Sequence, residues 1–96
     1  MKYRITESAY HDLSDIYFYT LQKWSEDQAI KYFDSIIQEI ELLSQAPEKA
    51  KRIPQVGQDF FCFKALSHYV FFKKNNDTVE IIRILHKIMD FPKHLE

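Results

Sequence analysis

The spacing of apolar positions changes period twice along this 96-residue chain. Tyr3 and Ile5 alternate with Lys2, Arg4 and Thr6, a period of two that predicts a short, half-buried strand. Helical spacing follows at once: Ala9, Leu13, Ile16, Tyr17, Thr20 and Trp24 fall on one arc, with His11, Ser14, Asp15 and Gln22 opposite. A helix of about four turns starting near Thr6 or Ser8 is expected. Ser25-Glu26-Asp27-Gln28 reads as a capping box, with two acids where the helix dipole favours them, so a second helix starts there. Its apolar face is Ala29, Tyr32, Phe33, Ile36, Ile40 and Leu43, and it stops before Pro47. Only Lys23-Trp24-Ser25 separates the helices, which predicts an antiparallel hairpin.

Residues 47–58 hold Pro47, Pro54, the single Gly57 and the basic residues Lys49, Lys51 and Arg52, and read as a loop. Three runs rich in β-branched and aromatic residues follow, Phe60 to Ala65, His68 to Lys73 and Val79 to His86. Short polar links at Ala65-Leu66-Ser67 and Lys74-Asn75-Asn76-Asp77 join them into an antiparallel meander. In the last run Val79, Ile81, Arg83 and Leu85 share one face and Glu80, Ile82, Ile84 and His86 the other, so both are partly apolar and the strand is expected to be central. The expected fold is one α+β domain over residues 1–96, with the helical hairpin on one sheet face and the other face free.

Charge adds an asymmetry. The net charge is -1, but residues 1–46 carry four Lys or Arg against eight Asp or Glu, and residues 47–96 carry nine against six. The basic half suits an anionic partner. One cysteine, Cys62, forms no internal disulfide, and neither a signal peptide nor a run of about 20 apolar residues is evident, which points to a reducing cytosol.

Candidate chemistry is sparse. His11, His68, His86, His94 and Cys62 show no metal-ligand spacing, so no metal is expected. A single Gly leaves no phosphate-cradling loop, and no cofactor is indicated. Cys62 could meet His68 or His86 across neighbouring strands, but a small thiol among Phe60, Phe61 and Phe63 reads as core. Arg83 interrupts an apolar strand, so its guanidinium needs either a carboxylate such as Asp90 or Glu80, or an anionic partner on the open sheet face. Arg83, Lys64 and His86 could together stabilise the transition state of RNA cleavage. Phe18 and Leu42 fall outside the buried helical arcs and are expected at the surface, where a partner could cover them.

The order of elements and particular residues resemble the ParE toxins of the ParE/RelE superfamily of bacterial toxin–antitoxin systems. The likeness spans nearly the whole chain. It is carried by Asp12-Leu13, Ile16, Tyr19-Thr20 and Trp24; by Gln28-Ala29, Tyr32, Leu43 and Pro47; and by Phe63, Ser67-His68, Phe71 and Ile81. Its most specific piece is Arg83-Ile84-Leu85-His86 followed by Met89-Asp90, with His94-Leu95 at the end. The resemblance implies a cytoplasmic toxin neutralised in a hetero-oligomer by a ParD-like antitoxin whose disordered segment folds on binding. It implies inhibition of DNA gyrase, with no catalytic residues, no metal and no sequence-specific nucleic-acid binding by the toxin alone.

The target surface expected on this basis is Arg83, His86, Lys87, Lys93 and His94, and the antitoxin surface Phe18, Leu42 and Arg83. The alternatives are a RelE-type ribosome-dependent mRNA endonuclease using Arg83, His86 and Lys64, and a non-toxic antitoxin-binding module. Many relatives have Arg where Phe61 stands, and Met89-Asp90-Phe91-Pro92 lacks the C-terminal Tyr of RelE-type nucleases, which favours gyrase. The chain also has Leu66 where family members often have Gly, no Gly near Ala50 where they often have one, and Phe72 where they often have Tyr; Leu66 should constrain its turn.

Overall fold

The computed structural model describes residues 2–54, 57 and 59–86. Strand β1 (Lys2–Ile5) leads into helices α1 (Glu7–Lys23) and α2 (Glu26–Gln45), a 3-10 turn (Pro47–Lys49), and strands β2 (Lys51–Arg52), β3 (Phe60–Ala65), β4 (His68–Asn75) and β5 (Thr78–Leu85). The sheet order is β1-β5-β4-β3-β2. Only the β1–β5 pair is parallel; the others are antiparallel. The expected helical hairpin and meander are present and β5 is interior. The segment expected to be loop contributes the two-residue edge strand β2, because Lys51 and Arg52 pair with Cys62 and Phe61.

Both helix starts follow from side-chain caps. Thr6 Oγ1 accepts the Ala9 N–H at 3.1 Å, and Ser25 Oγ accepts the Gln28 N–H at 3.1 Å. Thr6 also ends the sheet pairing: its N–H donates to Ile81 O at 3.1 Å and its hydroxyl to Ile82 O at 3.0 Å. One residue therefore closes β1 and opens α1. Trp24, placed in the buried arc by helical spacing, is instead 76% exposed. It is the C-cap, with φ -126° and ψ -91°, so the 100° step no longer applies to it.

The main core lies between the helices and the sheet: Ala9, Leu13, Ile36 and Ile40 pack on Phe61, Ala65, Val70, Phe72, Val79, Ile81 and Ile84. The opposite sheet face is not free. Ile53, Cys62, Phe71 and Leu85 are buried there as a second cluster, flanked by Phe60, Tyr69 and Ile82. This changes the parity expected in β5, where Ile84 joins Val79 and Ile81 on the helix side while Leu85 goes to the other cluster. The cause is a β-bulge: Phe72 pairs with Ile81 but Phe71 pairs with Arg83, leaving Ile82 as the extra residue. An inserted residue inverts the alternation beyond it. No helix among the described residues is long and apolar enough to cross a membrane.

The two hairpin turns use left-handed residues of unequal cost. Asn76, at φ 59°, belongs to a residue type that tolerates this region; Leu66, at φ 60°, does not. Leu66→Gly is expected to stabilise the fold by about 1 kcal/mol, read as a higher denaturant midpoint at unchanged slope.

Candidate functional site: a groove at the end of β5

Beyond Ile5, β1 has no residue left to cover the outer edge of β5, and α1 supplies the missing partner. Asp12 Oδ2 accepts the Ile84 N–H at 2.9 Å and the Arg83 Nε–H at 2.7 Å, while Oδ1 accepts from Arg83 Nη2 at 2.8 Å. This is a two-pronged, charge-assisted pair with most of both side chains buried. The hydrogen bond to Asp12 raises the Arg83 pKa above its ordinary value, outweighing the opposing effect of burial. Arg83 thus takes neither expected carboxylate: Glu80 pairs with Arg4, and Asp90 lies outside the described residues. Nor does it present a free cation on an open face. The role of Asp12 was not read from the sequence; its place between His11 on the polar arc and buried Leu13 was the available signal.

The Asp12–Arg83 pair sits beside a groove of about 810 Å³. Asp12, Asp15, Ile16, Tyr19 and Thr20 of α1 form one wall with Trp24; Gln28 and Tyr32 of α2 form the second; Ser67, His68, Ile84, Leu85 and His86 form the third. Tyr32 ties the walls together. Its hydroxyl lies 2.8 Å from His68 Nδ1 and 3.1 Å from Ser67 Oγ, and accepts the Ser67 N–H at 3.1 Å. The His68 and His86 rings meet edge to face with centroids 5.3 Å apart. Burial, and then the neighbouring His86, lower the His68 pKa below its ordinary value of 6.5.

The structure separates several residues that sequence reasoning grouped. Arg83 and His86 lie near the groove, but Lys64 does not line it and instead reaches over the Tyr69 ring at 5.9 Å. Cys62 belongs to the cluster on the far sheet face, away from the His68–Tyr32 contact, and burial pushes its thiol up to about 11. Phe18 and Leu42 are 60% and 63% exposed, as expected, but neither lines the groove. Phe18 packs on Tyr17, which meets Phe33; Leu42 lies towards the other end of α2, next to Glu41, which accepts from Tyr3. Lys87, Lys93 and His94 lie outside the described residues. Among the described residues no three His, Cys, Asp or Glu side chains converge as a metal site.

The helical hairpin laid over a mixed five-stranded sheet matches the fold of a chain of the solved chromosomal ParDE TA system from P. aeruginosa, with a TM-score of 0.78. That match is 20% identical and covers 88% of this chain and 94% of the other. Toxin ParE1 of Caulobacter vibrioides is 32% identical over 93 residues, 97% of this chain and 96% of that protein. Toxin ParE1 of Mycobacterium tuberculosis is 24% identical over 95 residues, 98% of this chain and 97% of that one. The family described as ParE toxin of type II toxin-antitoxin system, parDE, matches residues 3–91. The chain belongs to this ParE toxin family.

Asp12→Ala strands a buried guanidinium and an edge N–H, and should cost about 3 kcal/mol of unfolding free energy. Adding Arg83→Met recovers part of that loss, because the guanidinium is gone while the Ile84 N–H stays unpaired. The lowered His68 pKa has a definite sign. The unfolded chain binds the proton more tightly, so His68 contributes stability above pH about 6.5 that is lost as pH falls through the folded-state pKa. NMR titration should place the His68 midpoint below 6.5, and His86→Gln should move it upward.

Proposed function

We propose that the chain is a non-catalytic toxin that inhibits DNA gyrase and is held inactive by a ParD-like antitoxin seated in the groove. The observation that carries this reading is the lining of the groove: Ile16, Tyr19, Trp24, Tyr32, Ile84 and Leu85 form its apolar part, Asp12, Asp15, His68 and His86 its ionisable part, and no Lys or Arg is among the described lining residues. Cleavage of an RNA backbone needs cations at the developing phosphorane charge. Here the nearby guanidinium is already bound by Asp12, and Lys64 points over Tyr69 elsewhere. A groove that combines apolar walls with scattered polar groups, rimmed by exposed Tyr19 and Trp24, instead suits an amphipathic segment of a protein partner. The family and the fold match to a ParDE system support an antitoxin as that partner, in the cytoplasm where gyrase acts.

The purified chain should block supercoiling by gyrase or trap cleaved DNA, while mRNA on translating ribosomes stays intact. Growth arrest with cleaved mRNA and unaffected gyrase would transfer the activity to a nuclease. Trp24→Ala, at a largely exposed position, should weaken antitoxin binding about tenfold or more without lowering the melting temperature. Binding can be followed by calorimetry against the ParD-like protein encoded beside the toxin.

A further inference from the structure

The β2–β4 end of the sheet carries charge that the groove does not use. Lys49 of the 3-10 turn, Lys51 and Arg52 of β2, and Lys73 and Lys74 of β4 lie at this end; the register sends Arg52 and Lys74 to the side of Phe61 and Lys51 and Lys73 to the side of Cys62 and Phe60, so the edge is cationic on both faces. None of these five cations belongs to an ion pair among the described residues. Aromatic rings hold three of them instead. Lys73 Nζ lies 4.6 Å from the Phe60 ring centre, and Lys74 Nζ and Arg52 Cζ lie 4.8 and 5.4 Å from that of Phe61. Such contacts orient a cation without neutralising it. Two positive groups are drawn to one ring with no carboxylate paired to either, and the five cations outnumber the acids of the same stretch, Glu48 and Asp59, so a positive excess remains.

The helical layer has the opposite sign. Helices α1 and α2 carry Glu7, Asp12, Asp15, Glu26, Asp27, Asp34, Glu39 and Glu41 against Lys23 and Lys31. A polyanion is therefore attracted to this edge of the molecule and repelled by the helices, which biases its approach toward the edge.

We propose that this edge is a sequence-independent contact surface for duplex DNA, with Lys49, Lys51, Arg52, Lys73 and Lys74 facing backbone phosphates. Phosphates rather than a peptide are favoured because the exposed large apolar residues of the described chain are Tyr10, Phe18, Tyr19, Trp24, Ile30, Leu42 and Leu66, none of them in this cluster. Protein partners need such an anchor at the centre of an interface. A duplex rather than a single strand is favoured because Phe61 is 7% exposed, stacked on Phe72 at 5.3 Å and approached by the two cations. It offers no platform for an unstacked base, on which single-strand binding depends. The surface concerns DNA alone and stands whether or not gyrase is the target.

The test is fluorescence anisotropy of the full chain with a labelled duplex of arbitrary sequence, between about 50 and 200 mM salt. Five phosphate contacts give a slope of log K against log salt near -4.5, at about 0.9 per contact. Arg52→Gln with Lys74→Gln should bring the slope about 1.8 closer to zero, whereas Lys23→Gln with Lys31→Gln should leave affinity equal or higher. Melting temperature checks that the variants fold; Lys49→Gln with Lys51→Gln reads the same surface should the first pair not fold. An unchanged slope in the edge variants, an equal loss in the helix variants, or tighter binding of a polyglutamate peptide or a single strand than of the duplex would each overturn the proposal.

Discussion

One carboxylate organises the working end of this molecule. Asp12 receives two N–H groups from Arg83 and one from Ile84, and so joins α1 to β5 at the point where β1 has ended and the bulge has inverted the side-chain alternation of β5. Each partner is costly to leave alone: a buried guanidinium without a counter-ion, and a strand-edge amide without an acceptor. Satisfying both with one side chain fixes the helix, the bulge and the third wall of the groove relative to one another. The same contact withdraws the charge of Arg83 from use elsewhere, which leaves the described groove lining without a Lys or Arg beside its two histidines and two carboxylates.

The opposite wall is set by a second, weaker device. The Tyr32 hydroxyl accepts the Ser67 N–H and lies within hydrogen-bond reach of the Ser67 and His68 side chains, so α2 holds the β3–β4 turn in place. That turn needs holding, since Leu66 occupies the left-handed region where Gly costs least. Strain at Leu66 and satisfaction at Tyr32 thus meet at one rim. The His68–His86 ring contact adds a titratable pair at the same place.

Much of the architecture was legible because it depends on local rules. Thr6 and Ser25 are good N-caps wherever they precede a helical apolar arc, and β3 begins and ends at Phe60 and Ala65 as its composition suggests. Phe18 and Leu42 proved exposed because a residue outside the arc of a packed helix has nothing to meet. The site was less legible. Arg83 was recognisable as a residue in need of a partner, but its partner lies 71 positions away on another element. Trp24 was misplaced because the helix stops one residue earlier than the periodicity implies.

The sequence by itself determined the two helices, the meander, the interior place of β5 and the resemblance to ParE toxins, since periodicity, caps and turn residues act over a few neighbouring positions. Tertiary structure decided the parallel pairing of β1 with β5, the bulge at Ile82, the burial of the second sheet face and the capture of Arg83 by Asp12. A single inserted residue inverts every later side chain in a strand, and no composition rule announces it. Which carboxylate reaches a buried guanidinium is likewise a matter of where two distant elements pack, and packing is settled only when the whole core closes.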